Sequence, residues 1–478
     1  MPIRRVAVLL GALALVACAS TPEGSVEESV SNVSAQCMDG HTTSGLNLRR
    51  EPKVDAANVI TVLPANTRTT IRETSADGNW YRVSTALGDG WVSKSYVACD
   101  LGGVSPPPSP PTSRAGADFT PATCASCMRV KDGELRLPDG PRFVALGANL
   151  PMLRDGEMTG TDWSELAYRH VKVVRMFAAG GNLASADPSS PWAEDWANKV
   201  AARVDEAASR GFRVIVSFAD YYHALPGEEL VGDNAAKAEW CSMSVRPWPW
   251  YRRGTTRFDF DSACEGKTLR GAPNYEVVYK PFALQIVRRL KDHPGVFGWS
   301  IGNELRALGR GGKGAYGVSQ GAAIDTFASF LEDMIGSIRA IDQNHLIIPG
   351  VQNLTEVSDD QAHGSTWNAA LERMAKVPFD VWNITMYNDN PNARADIAAF
   401  RGRGVPVIAT EYDYWAPLCN TEVGAKMGDH ACSVMHDGLS MVAPWARSEM
   451  QSVCPNTADA WNAWGALGEK VSQHGGCP

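Results

Sequence analysis

Two glutamates, Glu304 and Glu411, each follow an apolar run that is typical of a buried parallel strand. The runs are residues 296–302 and 405–410. In a barrel of parallel strands the carboxyl ends of the strands form the rim on which active sites lie. Two carboxylates on one rim can act as a proton donor and as a nucleophile or base, which is the chemistry that cleaves a glycosidic bond. This pair is the main candidate for catalysis.

From about residue 128 the chain alternates between strand-like and helical patterns. Eight strands are predicted, over residues 142–149, 171–177, 212–218, 296–302, 345–350, 379–387, 405–410 and 438–443. Helices are predicted over residues 192–210, 275–291, 324–340, 366–376 and 461–472. Eight strand–helix repeats predict an α/β fold, a (β/α)8 TIM barrel. Residues 219–273 and 412–437 are expected to be long rim loops.

Other polar or aromatic residues also stand at predicted strand ends. Arg175 lies near the end of the second strand, Asn303 precedes Glu304, Tyr387 ends the sixth strand, and Trp445 follows the eighth. Each of them alone has an ordinary structural explanation, such as a buried ion pair or a tyrosine that caps the core. Together they predict one site, because the carboxyl ends of all eight strands meet at the same rim.

The Asn303-Glu304 pair after the fourth strand and Glu411 after the seventh resemble the retaining glycoside hydrolases built on this barrel. Family 5, the cellulase and mannanase group, is the nearest match, and the resemblance runs from about residue 140 to the C-terminus. It implies that Glu304 is the acid/base and Glu411 the nucleophile. It also implies that Asn303 binds the sugar 2-hydroxyl and that Arg175 and Tyr387 hold Glu411.

The same resemblance implies that Trp445 forms the floor of the subsite at the cleaved bond. Aromatic rings stack on the apolar faces of sugars. Four further side chains of the first rim loop are therefore predicted to bind substrate: Tyr222, His223, Trp248 and Trp250. Thr385 stands where many family members carry a histidine, and His223 matches the family's strand-three histidine only loosely. These departures leave the identity of the sugar open.

The expected function is retaining, double-displacement hydrolysis of O-glycosidic bonds in a β-linked polysaccharide that is mannan- or cellulose-like, with endo cleavage. This mechanism requires no cofactor, and no metal site is predicted. A net charge of −8 disfavours a nucleic-acid partner. Two alternatives stay open: a hydrolase directed at peptidoglycan or another envelope glycan, and a non-catalytic lipoprotein that binds cell wall through an inactive barrel.

Residues 36–100 differ from the rest, because they contain short alternating runs separated by turn residues, the pattern of a small all-β barrel. Residues 46–49, 78–83 and 90–97 resemble a bacterial SH3 domain, which implies either binding of a cell-wall peptide or glycan or a spacer role. Trp80, Tyr81 and Trp91 are predicted to form either a ligand groove or the core. The proline-rich residues 101–127 are predicted to be a linker, so the catalytic domain is expected to occupy residues 128–478.

The first residues have the pattern of a targeting segment. Arg4 and Arg5 precede the apolar residues 6–17, and the run that ends at Cys18 resembles the lipobox of bacterial lipoproteins. The resemblance implies that residues 1–17 are a signal peptide, that Cys18 is lipidated and that the outer membrane is the site of anchoring. Residues 18–35 would form a tether. The open alternative is an ordinary secretory signal.

Ten cysteines remain besides Cys18, and an even number suits an oxidising compartment. All ten are predicted to form disulfides, with the pairs Cys37–Cys99, Cys124–Cys127, Cys241–Cys264, Cys419–Cys432 and Cys454–Cys477 suggested by their positions. For Cys124 and Cys127 a redox or metal site is the alternative. A zinc site there would need two more ligands, and none lies nearby in the sequence.

Overall fold

The computed structural model describes most of the chain in segments. These are residues 39–42, 45–64, 67–85, 87–99, 114–151, 153, 158–178, 191–218, 248–254, 257–261, 268–276, 279–307, 318–413, 423–445, 465 and 467–471. The predicted signal peptide, Cys18, the tether, Tyr222 and His223 lie outside the described residues.

The N-terminal module is a seven-stranded antiparallel sheet, as its alternating pattern predicts. Its strands are Asp39–Thr42, Leu46–Arg49, Val59–Leu63, Arg68–Thr74, Trp80–Thr85, Gly88–Ser93 and Val97–Cys99. Tyr81 lies in its hydrophobic core with Leu48 and Val83. Trp80 is also buried, and Trp91 is only half-buried. Of the three rings offered as a groove, Trp91 is therefore the one most open to a ligand.

The larger unit is the predicted barrel of eight parallel strands. In chain order they are Ala145–Asn149, Val171–Phe177, Arg213–Ser217, Val296–Ser300, Leu346–Ile348, Trp382–Tyr387, Val407–Asp413 and Leu439–Pro444. Seven ladders join neighbours from the fifth strand round through the first to the sixth. Backbone hydrogen bonds from Asp380 N to Ile347 O (3.0 Å) and from Thr385 N to Gln352 O (2.7 Å) close the ring.

Helices cover the outside of the barrel. The described helices of this unit are Gly160–Tyr168, Pro191–Ser209, Trp248–Tyr251, Tyr279–Leu290, Gln320–Arg339, Leu354–Ser358, Ser365–Met374, Pro391–Arg401 and Val423–His436, with a last helical stretch at 467–471. Helix Gln320–Arg339 buries an apolar stripe against the barrel, and Ser319 caps its first turn by accepting from Ala322 N. No helix in the described part of the chain has the length and apolar character needed to cross a membrane.

The two predicted rim loops contain regular structure. The prediction of a loop over residues 412–437 was wrong, because Val423–His436 is a helix whose Met427, Ala431 and Val434 are buried in the core. Its glycines and polar residues obscured that apolar stripe in the sequence. Residues 219–273 include the short helix Trp248–Tyr251 and an antiparallel hairpin of strands Arg257–Asp261 and Thr268–Pro273.

The opposite end of the barrel is closed by the segment before the first strand. A hairpin of strands Arg129–Lys131 and Glu134–Arg136 places Val130 and Leu135 in the inner hydrophobic cluster of the barrel. The segment before it is already attached, since Gly116 N donates to Phe379 O and Ala115 is buried in the outer core. Residues 114–127 therefore pack on the barrel and are not part of a linker.

Gly350 stands after the fifth strand where only glycine fits. Its φ is +74°, and an added Cβ would lie 2.3 Å from the N and O of Gly302, the residue that leads into Asn303 and Glu304. A left-handed conformation costs a non-glycine residue about 1–3 kcal/mol, and the clash adds to that. We expect Gly350→Ala to lower the melting temperature and the catalytic rate together.

The matched control is Gly336→Ala in helix Gln320–Arg339, where an added Cβ meets nothing within 4 Å. Alanine favours a helix interior by about 0.5–1 kcal/mol over glycine, so this variant should unfold at the same temperature or higher. Thermal unfolding followed by circular dichroism measures the melting temperature of both variants. A Gly350→Ala protein as stable as the control would contradict the steric argument.

Candidate active site

Arg175 lies inside the barrel and links four strand ends. Period-two alternation puts it on the same face of the second strand as Val173, which belongs to the inner cluster. Its side chain is buried, and Nη1 donates to Asn149 Oδ1 and to Glu411 Oε1, each at 3.1 Å, while Nη2 donates to Asn303 Oδ1 at 2.5 Å. Three of the predicted site residues are thus brought together by one guanidinium group.

Asn149 was missed by sequence reasoning. It ends the first strand, and its amide donates to the carbonyl oxygens of Thr410, Ala443 and Pro444 at 2.9–3.1 Å. The side chain therefore ties the first strand to the ends of the seventh and eighth while its oxygen accepts from Arg175. Its position at a strand end was the available signal, the same one that singled out Arg175.

A β-bulge turns Glu411 into the barrel. On the seventh strand Ile408 lies in the inner cluster, whereas Ala409 and Tyr412 lie in the outer core. Strict alternation from Ile408 would point Glu411 outward. The pairing shifts by one residue here, because Ile384 pairs with Ala409 but Thr385 pairs with Glu411. Bulges commonly re-aim a side chain beside an active site, and this one directs Glu411 towards Arg175.

Both carboxylate oxygens of Glu411 have a fixed donor. Oε1 accepts from Arg175 and Oε2 accepts from the Tyr387 hydroxyl at 2.8 Å. Burial raises the pKa of Glu411 above its usual value, and the charge of Glu304 raises it further, while Arg175 and Tyr387 oppose the rise. Burial and the two glutamates also raise the pKa of Tyr387, so its phenol keeps the proton that it donates to Glu411.

Glu304 is the second buried carboxylate, 4% exposed. Its φ is +52°, in the left-handed region that non-glycine residues seldom adopt and that is often retained at functional sites. Beyond it the chain rejoins the sheet, since Leu305 N donates to Gly350 O at 2.9 Å. Arg306 Nη2 lies 3.9 Å from Glu304 Oε2, and Arg306 Nη1 donates to Glu356 Oε2 at 2.7 Å. The turn thus presents Glu304 beside a guanidinium that a second glutamate holds in place.

A buried amide, Asn383, supports this turn from the sixth strand. Its Oδ1 accepts from Gly350 N at 2.9 Å, and its Nδ2 donates to Val351 O and to Thr410 Oγ1. Gly350 in turn accepts from Leu305 N, directly after Glu304. One side chain therefore connects the positions of the two glutamates. Sequence reasoning missed it because it lies inside a strand and not at its end.

The aromatic predictions have different outcomes. Trp445 is half-buried at the end of the eighth strand, with its ring centroid 6.2 Å from that of Phe177, which stacks under Arg175. It lies beside the site. Trp250 does not, because it is 2% exposed and packs against Tyr251, Tyr279 and Phe330. Its prediction as a sugar platform is corrected to a core role.

Trp248 begins the short helix that contains Trp250, and its role as a sugar platform stays a prediction. The run Trp248-Pro249-Trp250-Tyr251 was ambiguous in the sequence, since packing against a helix and stacking on a sugar both favour large rings. For the other candidates of this loop, Tyr222 and His223, the placement on the rim stays a prediction.

Comparison with known proteins gives two family assignments. The model described as "Cellulase (glycosyl hydrolase family 5)" matches residues 154–416, more than half of the chain. The chain belongs to glycosyl hydrolase family 5. A second model, described as a bacterial SH3 domain, matches residues 44–98, which confirms the fold predicted for the N-terminal module. The family 5 match confirms the barrel and spans Glu304 and Glu411.

Two relatives illustrate the similarity. A "probable mannan endo-1,4-beta-mannosidase C" of Aspergillus terreus is 24% identical over 161 residues, which are 31% of this chain and 40% of that protein. This family 5 chain therefore aligns with less than half the length of that curated relative. The crystal structure of an endo-1,4-beta-mannanase from Rhizomucor miehei has a TM-score of 0.52 at 15% identity and covers 73% of this chain and 100% of that one. The latter similarity shows a shared fold.

Tyr387→Phe should shift the pH dependence of hydrolysis. The hydrogen bond from Tyr387 lowers the pKa of Glu411, so removing this bond raises that pKa. Because Glu411 is expected to react as a carboxylate, activity should then begin to fall at a higher pH as the solution is acidified. A hydrogen bond to a charged group contributes about 1.5–3 kcal/mol, so we expect the acid limb of kcat/KM to move up by about one pH unit or more. Activity on an aryl β-glycoside across pH measures this.

Tyr275→Phe is the matched control. Tyr275 is also buried, and its hydroxyl also donates to a carboxylate, Asp333 Oδ2 at 2.9 Å, but it lies in the helical layer. This variant should keep the wild-type acid limb. An unshifted limb in Tyr387→Phe, or an equal shift in both variants, would contradict the role given to Tyr387.

Proposed function

We propose that this protein is a retaining β-glycoside hydrolase in which Glu411 is the nucleophile and Glu304 the acid/base. The observation that carries the assignment is the difference between the two carboxylates. Glu411 accepts from a guanidinium on one oxygen and from a phenol on the other, and both donors stabilise its anionic form. Glu304 lies on a separate turn with a guanidinium 3.9 Å away.

The protonation of the pair follows from these contacts. Two neighbouring buried carboxylates share one proton, and their titration is a property of the pair. Part of the rise in the pKa of Glu411 comes from the charge on Glu304, and a proton on Glu304 removes that cause. Arg175 and Tyr387 remain as donors to Glu411. The resting state is therefore protonated Glu304 beside ionised Glu411.

Hydrolysis then proceeds in two displacements. Glu411 attacks the anomeric carbon while Glu304 donates its proton to the glycosidic oxygen, so the leaving sugar departs as an alcohol and a glycosyl ester forms on Glu411. The ester carries no charge, and Glu304 is now a carboxylate. It takes a proton from water, whose oxygen attacks the anomeric carbon and releases Glu411. The configuration at this carbon is inverted twice and so retained.

The residues around the pair have complementary roles. Asn303 is held by Arg175 through its Oδ1, and it is assigned the role of donating from its amide nitrogen to the sugar 2-hydroxyl beside the nucleophile. Trp445 has a half-buried ring at the same rim. This ring can stack on the face of the sugar in the subsite of the cleaved bond. Hydrogen bonds to the 2-hydroxyl that strengthen in the transition state contribute to catalysis in such enzymes.

We propose a mannan-type β-1,4-linked polysaccharide as the substrate, with cleavage inside the chain. Support comes from the similarity to the Aspergillus terreus protein, whose name specifies mannan and endo cleavage. Cellulose is the alternative sugar polymer, because the family model that matches is described as cellulase.

A glycan of the cell envelope is a second candidate substrate, and the observation that favours it is the bacterial SH3 match. The half-buried Trp91 offers a ring to a cell-wall peptide or glycan in that module. With this we propose that the protein is exported and anchored to the outer membrane through lipidated Cys18. Metabolic labelling with a palmitate analogue, with Cys18→Ser as the control, tests the anchor.

Glu411→Ala should abolish turnover of an aryl β-glycoside, and added azide should restore it. Azide fits the space left by the carboxylate and attacks from the same face, so the product is the α-glycosyl azide, identified by nuclear magnetic resonance. Glu304→Ala with azide should instead give the β-azide, because the glycosyl ester still forms on Glu411. If Glu411→Ala gave the β-azide and Glu304→Ala gave the α-azide, the roles of the two glutamates would be reversed.

Glu372→Ala is the matched control for these variants, because Glu372 is exposed and forms a surface ion pair with Arg403. Its activity should stay near that of the wild type. Full activity of Glu411→Ala without azide would reject the nucleophile. A wild-type protein that binds glycans but hydrolyses no activated β-glycoside would indicate the non-catalytic scaffold.

Digestion of mannan, cellulose and purified cell wall, followed by chromatography of the products, tests the substrate. We expect mannan to release oligosaccharides of several lengths at least about tenfold faster than the other two polymers. Release of single sugars alone would contradict endo cleavage. Faster release from purified cell wall would favour the envelope glycan.

A further inference from the structure

Cys124 and Cys127 lie at the end of the barrel opposite the glutamates, in the segment that closes that end. They form the predicted disulfide, with a Cα–Cα distance of 5.4 Å. The fold brings His345 to them from 218 residues away, and its Nε2 lies 3.3 Å from Cys127 Sγ. One donor atom from each of the three residues lies within 4.8 Å of the others.

His345 is oriented by a buried carboxylate. Its Nδ1 lies 2.7 Å from Asp342 Oδ2, which also accepts from Trp299 Nε1 at 2.7 Å, and neither His345 nor Asp342 is exposed to solvent. The ring is thus oriented with Nδ1 facing Asp342 and Nε2 facing the sulfur.

Hydrogen bonds from neighbouring elements hold the loop that carries the cysteines. Asn344 Oδ1 accepts from the backbone N of Thr123 at 2.9 Å and of Cys124 at 3.1 Å. Arg213 Nη2 donates to Ser126 O at 2.8 Å. These contacts hold the Cys-x-x-Cys turn against the residues that precede the fifth strand, next to His345.

This arrangement has the features of a zinc site. Two cysteines separated by two residues are the usual first half of such a site, and a ligating histidine almost always donates its other ring N–H to a carboxylate or carbonyl. In a tetrahedron with Zn–S about 2.3 Å and Zn–N about 2.0 Å, sulfur and nitrogen lie about 3.5 Å apart. Cys127 Sγ and His345 Nε2 are 3.3 Å apart. In the disulfide form the same nitrogen donates a hydrogen bond to the carbonyl oxygen of His293 at 3.0 Å.

We propose that Cys124, Cys127 and His345 form a thiol-gated metal site, which binds one thiophilic divalent cation such as Zn²⁺ when the cysteines are reduced. In the disulfide form the sulfurs are bonded to each other and are poor ligands. Cys127 is fully buried and Cys124 is half-buried, so reductant and cation reach the site from the side of Cys124.

The chemistry balances with a dithiol or phosphine as the reductant. A dithiol gives two electrons and two protons to the disulfide and becomes a disulfide itself, leaving two thiols on the protein. Binding of the cation then releases both thiol protons and any proton on His345 Nε2. Two thiolates and one divalent cation leave no net charge among the ligands, which suits a buried position.

Cobalt is the probe, because Co²⁺ in a tetrahedral thiolate site absorbs visible light and shows sulfur-to-metal charge transfer. The full-length protein is reduced under mild conditions with a phosphine and titrated with Co²⁺ and then with Zn²⁺. We expect one equivalent of Co²⁺ to give both absorptions and Zn²⁺ to displace it. The unreduced protein should give neither.

Cys124→Ser/Cys127→Ser keeps every other cysteine and should lose the signal completely. His345→Ala should keep the charge-transfer band but bind at least about tenfold more weakly. His363→Gln should bind like wild type, because His363 follows helix Leu354–Ser358 in the chain and its ring packs on Trp367. Far-ultraviolet circular dichroism and thermal unfolding establish that each variant is folded.

Two results would overturn the proposal. One is a cobalt signal of equal strength in the double cysteine variant, which would place the metal on other thiols. The other is a folded, reduced wild-type protein with free thiols at Cys124 and Cys127, shown by mass spectrometry after alkylation, that binds no Co²⁺ or Zn²⁺. The pair would then be a structural disulfide only. Neither result bears on the glutamates at the other end of the barrel.

Discussion

The site depends on one buried cation, the guanidinium of Arg175. A charge with almost no exposure to water is costly unless it is paired and hydrogen-bonded. Glu411 pairs with it, and Asn149 and Asn303 accept its other hydrogen bonds. Because Arg175 and these three partners stand at the ends of four different strands, the barrel must close in the correct register before the charge is satisfied. The same requirement that stabilises the closed barrel therefore assembles the reactive groups.

Local departures from regular structure place the two glutamates. Alternation alone would point Glu411 away from the interior, and a bulge reverses it. Glu304 stands in a left-handed turn that closes against Gly350. Such conformations persist where surrounding contacts fix them, and Asn383 supplies contacts to both elements. The irregular positions and the reactive positions coincide, as expected when function sets the geometry.

The two ends of the barrel use the same physical device for different purposes. At the rim, Arg175 and Tyr387 donate to the buried carboxyl group of Glu411, and at the other end Asp342 holds an imidazole against two sulfurs. In both places a buried carboxyl group orients its neighbour through a hydrogen bond. The inner hydrophobic cluster separates the two ends, which allows one to carry glycoside chemistry and the other to respond to thiols.

The sequence by itself determined the barrel, its strand order and the central five residues of the site. Arg175, Asn303, Glu304, Tyr387 and Glu411 were found because parallel strands show as apolar runs and their carboxyl ends share one rim. The SH3-like module followed from its alternating runs in the same way. Only the tertiary structure decided the roles of Asn149 and Asn383, the core position of Trp250 and the approach of His345 to Cys127. Those depend on strand register and on contacts across hundreds of residues, and local composition does not encode the distance between side chains that are remote in the chain.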